Sequence, residues 1–163
     1  MDESLKQPVK GILFDLDGVF YVDDQLIPGA VGCLRRLRKR NIGCRFVTNT
    51  TTQSSRELED KLVGLGIPCR RDELITAPVA TANYLRRSGI QRCYFAVKPA
   101  VMADFDGFSH TDDQPEAVVV GDIGEAWSIV FWIGSLGLWC PVPAWWPCIA
   151  TAIGRRLRAC MWI

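Results

Sequence analysis

A chain of 163 residues with 48% apolar and 23% charged side chains has the length of one domain, enough for a sizeable core, and is a poor match to intrinsic disorder. Its 19 basic and 18 acidic residues leave a net charge of +1, which excludes a strongly basic nucleic-acid binder on bulk charge. The average conceals a division. All 18 acidic residues lie at or before Glu125, all six tryptophans lie at or after Trp127, and from Trp127 to Ile163 the only charged side chains are Arg155, Arg156 and Arg158. The seven cysteines include no Cys-x-x-Cys pair, and an odd count does not suit a disulfide framework or a zinc site. The first residues lack the basic-then-apolar pattern of a signal peptide. Reduced thiols and a cytoplasmic location are the expectation.

In chain order, Val9–Phe14 is an apolar run ending abruptly at Asp15 and reads as a buried strand. Pro28-Gly29 opens a helix over Ala30–Arg40, with Val31, Leu34 and Leu37 on one face and cations in the last turn. Gly43–Val47 is a second strand, ending in Thr48-Asn49. Ser54 and Glu57 fit a capping box for a helix carrying Leu58, Leu62 and Leu65 on one face, stopped by Gly66 before Pro68. A third helix is expected from Asp72 through about Arg87, then strands at Cys93–Val97 and Ala117–Val120. Strand, loop and helix in alternation predict a parallel α/β sheet.

Asp15-Leu16-Asp17-Gly18 closes the first strand. In open α/β sheets ligands bind at the carboxyl ends of strands. Two carboxylates two residues apart there can hold Mg²⁺ through oxygen, and one of them can attack a phosphoryl group while the other moves the proton. Gly18 permits the turn that aims the second acid. The competing reading is a strand-end turn with two solvated acids. Asp104-Phe105-Asp106-Gly107 repeats the four-residue pattern without a useful strand before it and reads as a solvated turn. Thr48 and Asn49 end the neighbouring strand at the same edge; a hydroxyl and an amide there suit phosphate oxygens, or else simply begin the loop and cap the next helix.

Together these segments resemble the haloacid dehalogenase superfamily of phosphohydrolases. Gly11–Tyr21 (GILFDLDGVFY) is similar to its first motif and Arg45–Thr51 (RFVTNTT) to its second. Ser54–Ile67 (SSRELEDKLVGLGI) and Leu74–Leu85 (LITAPVATANYL) resemble the NagD-like subfamily, in which an α/β cap follows the second motif. The resemblance covers roughly residues 8–127. It implies an α/β fold with a Rossmann-like parallel sheet: residues 1–76 as the N-terminal half of the core, residues 77–126 as part of the inserted cap, and residues 127–163 as an aberrant apolar tail outside that fold. It further implies phosphate monoester hydrolysis on a small phosphorylated metabolite. Asp15 would be the nucleophile and Asp17 the general acid and base. Thr48 would hold the phosphoryl group with Asn49 beside it, and Asp15 with the Asp17 carbonyl would bind Mg²⁺.

The family pattern also needs a lysine and a further acidic pair after the cap, and residues 127–163 supply neither. Lys98 falls inside the presumed cap and is not given the lysine's role. Without those groups the charge developing on the phosphoryl oxygens goes largely uncompensated, so weak turnover or a catalytically dead remnant is expected. The tail admits three readings: an out-of-frame end, a membrane segment or a partner-binding tail. The uncharged run Ala126–Gly154 is long enough to span a bilayer, but Pro141, Pro143 and Pro147 interrupt it, which disfavours a membrane anchor. A phosphate-accepting receiver domain is disfavoured because it would place a separate acidic pair ahead of its acceptor aspartate. The basic run Arg35–Arg40 reads as a solvated helix face rather than an anion site, the sole histidine, His110, as a surface loop residue, and Asp23-Asp24 as part of the loop after the first motif.

Overall fold

The computed structural model describes residues 9–124 and 159–162. The chain divides into two compact units, one running through Thr50 and from Ser55 to Ala77, the other taking Thr51–Ser54 and the residues from Pro78 onward.

In the first unit, β1 (Gly11–Asp15) leads through a loop into a short antiparallel hairpin of β2 (Tyr21–Val22) and β3 (Gln25–Leu26). Helix α1 (Ala30–Lys39) follows Gly29, whose φ of 85° needs a residue without a Cβ. Then come β4 (Gly43–Thr48), α2 (Ser55–Gly64), a 3₁₀ turn at Arg71–Glu73 and β5 (Leu74–Thr76). The sheet order is β1-β4-β5, parallel throughout, with Gly11 beside Gly43, Asp15 beside Val47 and Thr48 beside Thr76. Helix α2 ends where Gly66, at φ 81°, turns the chain back, and the Ile67 amide donates to the Leu62 carbonyl at 2.9 Å. Leu34, Phe46, Leu58, Leu62 and Ile67 are buried in one core. Phe20 sits edge-on to Phe14 and Phe46, with both centroid distances at 5.4 Å. Each such side chain contributes about 1.5–3 kcal/mol on burial.

Two expectations are corrected here. Residues 74–76 form a strand and not the first turn of a helix. Ile75 and Thr76 are β-branched and pair with Val47 and Thr48, and the helix α3 (Ala77–Arg87) begins after them with Pro78 in its first turn, where a missing amide hydrogen costs nothing. The apolar β1 run is not buried on both faces. Leu13 is 68% exposed, because α1 and α2 cover only the face that carries Ile12 and Phe14.

In the second unit α3 precedes β6 (Arg92–Ala96), a 3₁₀ helix (Pro99–Phe105), β7 (Ser109–His110), β8 (Ala117–Val120) and β9 (Ala159–Trp162). Its sheet order is β7-β6-β8-β9, again parallel. Ala82 and Leu85 of α3 share a core with Cys93, Phe95, Val101, Phe105, Ala117 and Val119. From Trp127 onward only Ala159–Trp162 is described, and it pairs along β8 from Ala117 to Val120. The uncharged run Ala126–Gly154 lies outside the described residues; among those residues no helix is long and apolar enough to cross a membrane.

Candidate active site

Parallel pairing brings the carboxyl ends of β1 and β4 to one edge of the first unit's sheet. Asp15 lies beside Val47, and Thr48 is the next residue along β4. Strand alternation puts Asp15 on the face of Leu13 and Val47, and Thr48 on the buried face of Phe46, so the acid and the hydroxyl can converge only beyond the strand ends. Asp15 is exposed, and its Oδ1 accepts the Leu16 amide at 2.8 Å. Leu16 itself is fully buried, anchoring the loop between the two acids in the core. The turn follows at Gly18, with φ 73° and its amide donating to the Tyr21 carbonyl at 2.8 Å. Asp17, also exposed, forms a single bridge with Tyr21.

Thr48 is 5% exposed. Its hydroxyl donates to Thr50 Oγ1 at 3.0 Å and accepts the Thr50 amide at 3.2 Å, closing the turn that begins the loop. Asn49 next to it is exposed. The residue pair singled out on β4 is therefore at the expected edge, with the threonine engaged locally.

The hairpin and α2 are joined by a contact that local sequence pattern does not reveal. Lys61 of α2 reaches Asp24 Oδ1 at 2.9 Å, donates to the Asp23 carbonyl at 3.1 Å and lies 4.7 Å over the Tyr21 ring. Asp24 holds its ammonium above the usual lysine range, chiefly through that hydrogen bond. Burial pushes the Tyr21 phenol up; Lys61 opposes that shift, while Asp17, Asp15 and Asp24 reinforce it. The only sequence signal for the clamp was Asp23-Asp24 in the loop, because its partner lies some forty residues away and no helical or strand period links them.

The donor set at the β1 edge, the Asp15 carboxylate and the Asp17 carbonyl, is all oxygen and suits Mg²⁺ in kind. Among the described residues no group of three His, Cys, Asp or Glu side chains is placed to hold a metal. Most of an octahedral shell would then remain water.

Outside this edge, Asp104–Gly107 ends the 3₁₀ helix, with Gly107 at φ 86° and the Asp106 carbonyl accepting Arg86 at 3.1 Å. His110 lies in a two-residue strand rather than a loop, half-exposed, its Nδ1 accepting the Phe95 amide at 3.3 Å.

A parallel α/β sheet whose first strand ends in Asp-x-Asp-Gly, followed by a helix-linked strand ending in Thr-Asn, defines the class: the chain belongs to the haloacid dehalogenase-like hydrolase family, whose model matches residues 12–109. It is 34% identical over 118 residues to haloacid dehalogenase-like hydrolase domain-containing protein 2 of Bos taurus, covering 72% of this chain and 44% of that one. It is 28% identical to the ribonucleotide monophosphatase NagD of Escherichia coli, covering 70% of this chain and 46% of that one. The 4-nitrophenylphosphatase from Thermotoga maritima shares the fold at a TM-score of 0.65 and 29% identity, over 69% of this chain and 44% of that one. The chain thus spans about half the length of the curated relatives it matches.

Proposed function

We propose that this chain carries the nucleophile half of a phosphate monoester hydrolase. The observation that supports it most is the meeting of the Asp15–Asp17 loop and Thr48 at one carboxyl edge of a parallel sheet. Asp15 attacks the phosphorus of a small phosphorylated metabolite and forms an aspartyl-phosphate as the ester oxygen leaves. Asp17 protonates that oxygen, then takes a proton from the water that opens the acyl phosphate. Asn49 and the Thr48 turn offer donors for the phosphoryl oxygens, the latter after exchanging its bond to Thr50. Asp15 and the Asp17 carbonyl would hold Mg²⁺, which when bound supplies positive charge against the phosphoryl oxygens. With so few donors the rate is low.

In the same reading residues 1–76 are half of a core and residues 77–126 part of a cap. A cytoplasmic location is supported by Cys33, Cys44, Cys69 and Cys93, which are free thiols. The test is hydrolysis of 4-nitrophenyl phosphate by the full chain, with and without Mg²⁺. We expect slow, Mg²⁺-dependent turnover that Asp15→Asn brings to the uncatalysed level, and acid-quenched label on Asp15 in the parent chain. Activity that survives Asp15→Asn unchanged removes the assignment, and no turnover together with no label leaves a dead remnant.

A further inference from the structure

The first unit holds a cleft of about 430 Å³ where the last turn of α1, the start of β4 and the segment from Pro68 to Glu73 meet. It opens at the amino-terminal end of β4. Cys44 at that end and Thr48 at the other are four residues apart, about 13 Å along a strand. The cleft is therefore separate from the acidic edge.

Three arginines line it, Arg38 from α1, Arg70 from the segment before β5, and Arg45 from β4, on the strand face opposite Cys44. Two of them are held in place. Arg38 donates to the Pro68 carbonyl and, at 2.8 Å, to Glu73 Oε2. Arg70 pairs with Asp72 at 2.9 Å, and its amide donates to Glu73 at 3.1 Å. Glu73 is buried and Asp72 exposed, so their two negative charges are matched by Arg38 and Arg70. Arg45 is the third cation: it donates to the Cys44 carbonyl at 3.1 Å and, with no salt bridge to a carboxylate among the described residues, its charge still acts on the nearby Asp72. Burial pushes the Cys69 thiol up to about 12, so that side chain stays neutral at ordinary pH. A cavity lined by three arginines, two of them fixed by carboxylates at its rim and the third without a salt bridge, selects for an anion with a compact charged end. The volume lies within the range of small-molecule sites.

We propose that this cleft is a second anion site, one that takes a small phosphate-bearing molecule on Arg45, Arg70 and Arg38 independently of the Asp15 edge. Arg38 thus leaves the solvated face on which the basic run of α1 was read, because its partner Glu73 lies 35 residues away. The phosphate end exchanges with exposed Asp72 for Arg70 and takes the N–H groups of Arg45 not given to the Cys44 carbonyl, while buried Glu73 keeps Arg38 oriented.

The experiment is calorimetric titration of the full chain without Mg²⁺, using inorganic pyrophosphate in one arm and adenosine monophosphate in the other. We expect saturable binding of at least one probe that weakens as salt is raised. Arg45→Gln should weaken it about tenfold or more, with a similar loss for Arg70→Gln and partial recovery in Arg45→Lys. Both arginines are exposed, so these variants fold. Asp15→Asn should bind as the parent does, whether or not the chain hydrolyses phosphate esters. Tighter binding of the nucleotide adds the lining residues Ile42 and Pro68 to the site, and binding of pyrophosphate as tight or tighter assigns it to phosphate alone. Absence of saturable binding in both arms, affinity unchanged in both Arg→Gln variants, or affinity lost in Asp15→Asn overturns the proposal.

Discussion

The two parallel sheets differ at their central strands. In β4 the residues alternate between exposed and buried from Gly43 to Thr48, whereas every residue of β8 is buried. Tyr94 and Ala96 on one face of β6, and Cys93 and Phe95 on the other, are all below a tenth exposed. On the first unit's open face, by contrast, Leu13, Val47 and Ile75 stand 68%, 36% and 39% exposed. Parallel strands are ordinarily covered on both sides. The comparison separates two properties that an apolar run confounds, namely whether a segment is a strand and how many of its faces are packed. The sequence Ala117–Val120 and the sequence Gly11–Phe14 are similarly apolar, yet no described element covers the second face of β1.

The largest test of that difference lies within the first sheet. Phe46 is fully buried against Phe14 and Phe20, so Phe46→Ala should destabilise the unit by about 3–5 kcal/mol, including the cavity left behind. Leu13→Ala on the open face should change stability by no more than about 0.5 kcal/mol. Urea unfolding midpoints compare the two, and a Leu13→Ala loss approaching that of Phe46→Ala would mean that this face is covered in solution.

A smaller effect compares the sheets directly. Val118 and Val119 point to opposite faces of β8 and are both essentially inaccessible. Placing a hydroxyl at either, as Val118→Thr or Val119→Thr, should cost about 1–3 kcal/mol. Val47→Thr on the open face of β4 should stay within about 0.5 kcal/mol. If Val118→Thr proves as mild as Val47→Thr, the two sheets are alike and the contrast fails.

The same contrast explains what the sequence made legible. Strands β1, β4, β6 and β8, helices α1 and α2, and the turn at Gly18 follow from short-range pattern: apolar runs, helical spacing and glycine at positive φ. That Asp15 and Thr48 end neighbouring strands at one edge of the sheet follows from parallel connectivity alone. Leu74–Thr76 was misread because a three-residue strand beside a helix start has too few residues to show a period of two, and its status is decided by pairing with Phe46–Thr48. Lys61 against Asp24, and Glu73 between Arg38 and Arg70, were invisible for a related reason. Each joins segments far apart in sequence, and a charged residue taken singly reads as solvated.

The smallest effect is chemical, and it compares one thiol from each unit. Burial is the first cause raising both Cys69, to about 12, and Cys93, to about 11, where Glu116 adds to it. A buried thiolate is penalised in the folded chain, so above the ordinary thiol range near 9 the unfolded chain releases its proton first. The stability these thiols contribute is therefore whole below about pH 9 and declines as pH rises toward 11 and 12. Site-resolved alkylation by iodoacetamide should label exposed Cys33 at pH 8 while leaving Cys93 and Cys69 largely intact. On raising the pH, both buried thiols should begin to react only well above the ordinary thiol range. Labelling of Cys69 ahead of Cys93 would show that the first unit opens locally before the second, as a sheet packed on one face has fewer contacts to prevent.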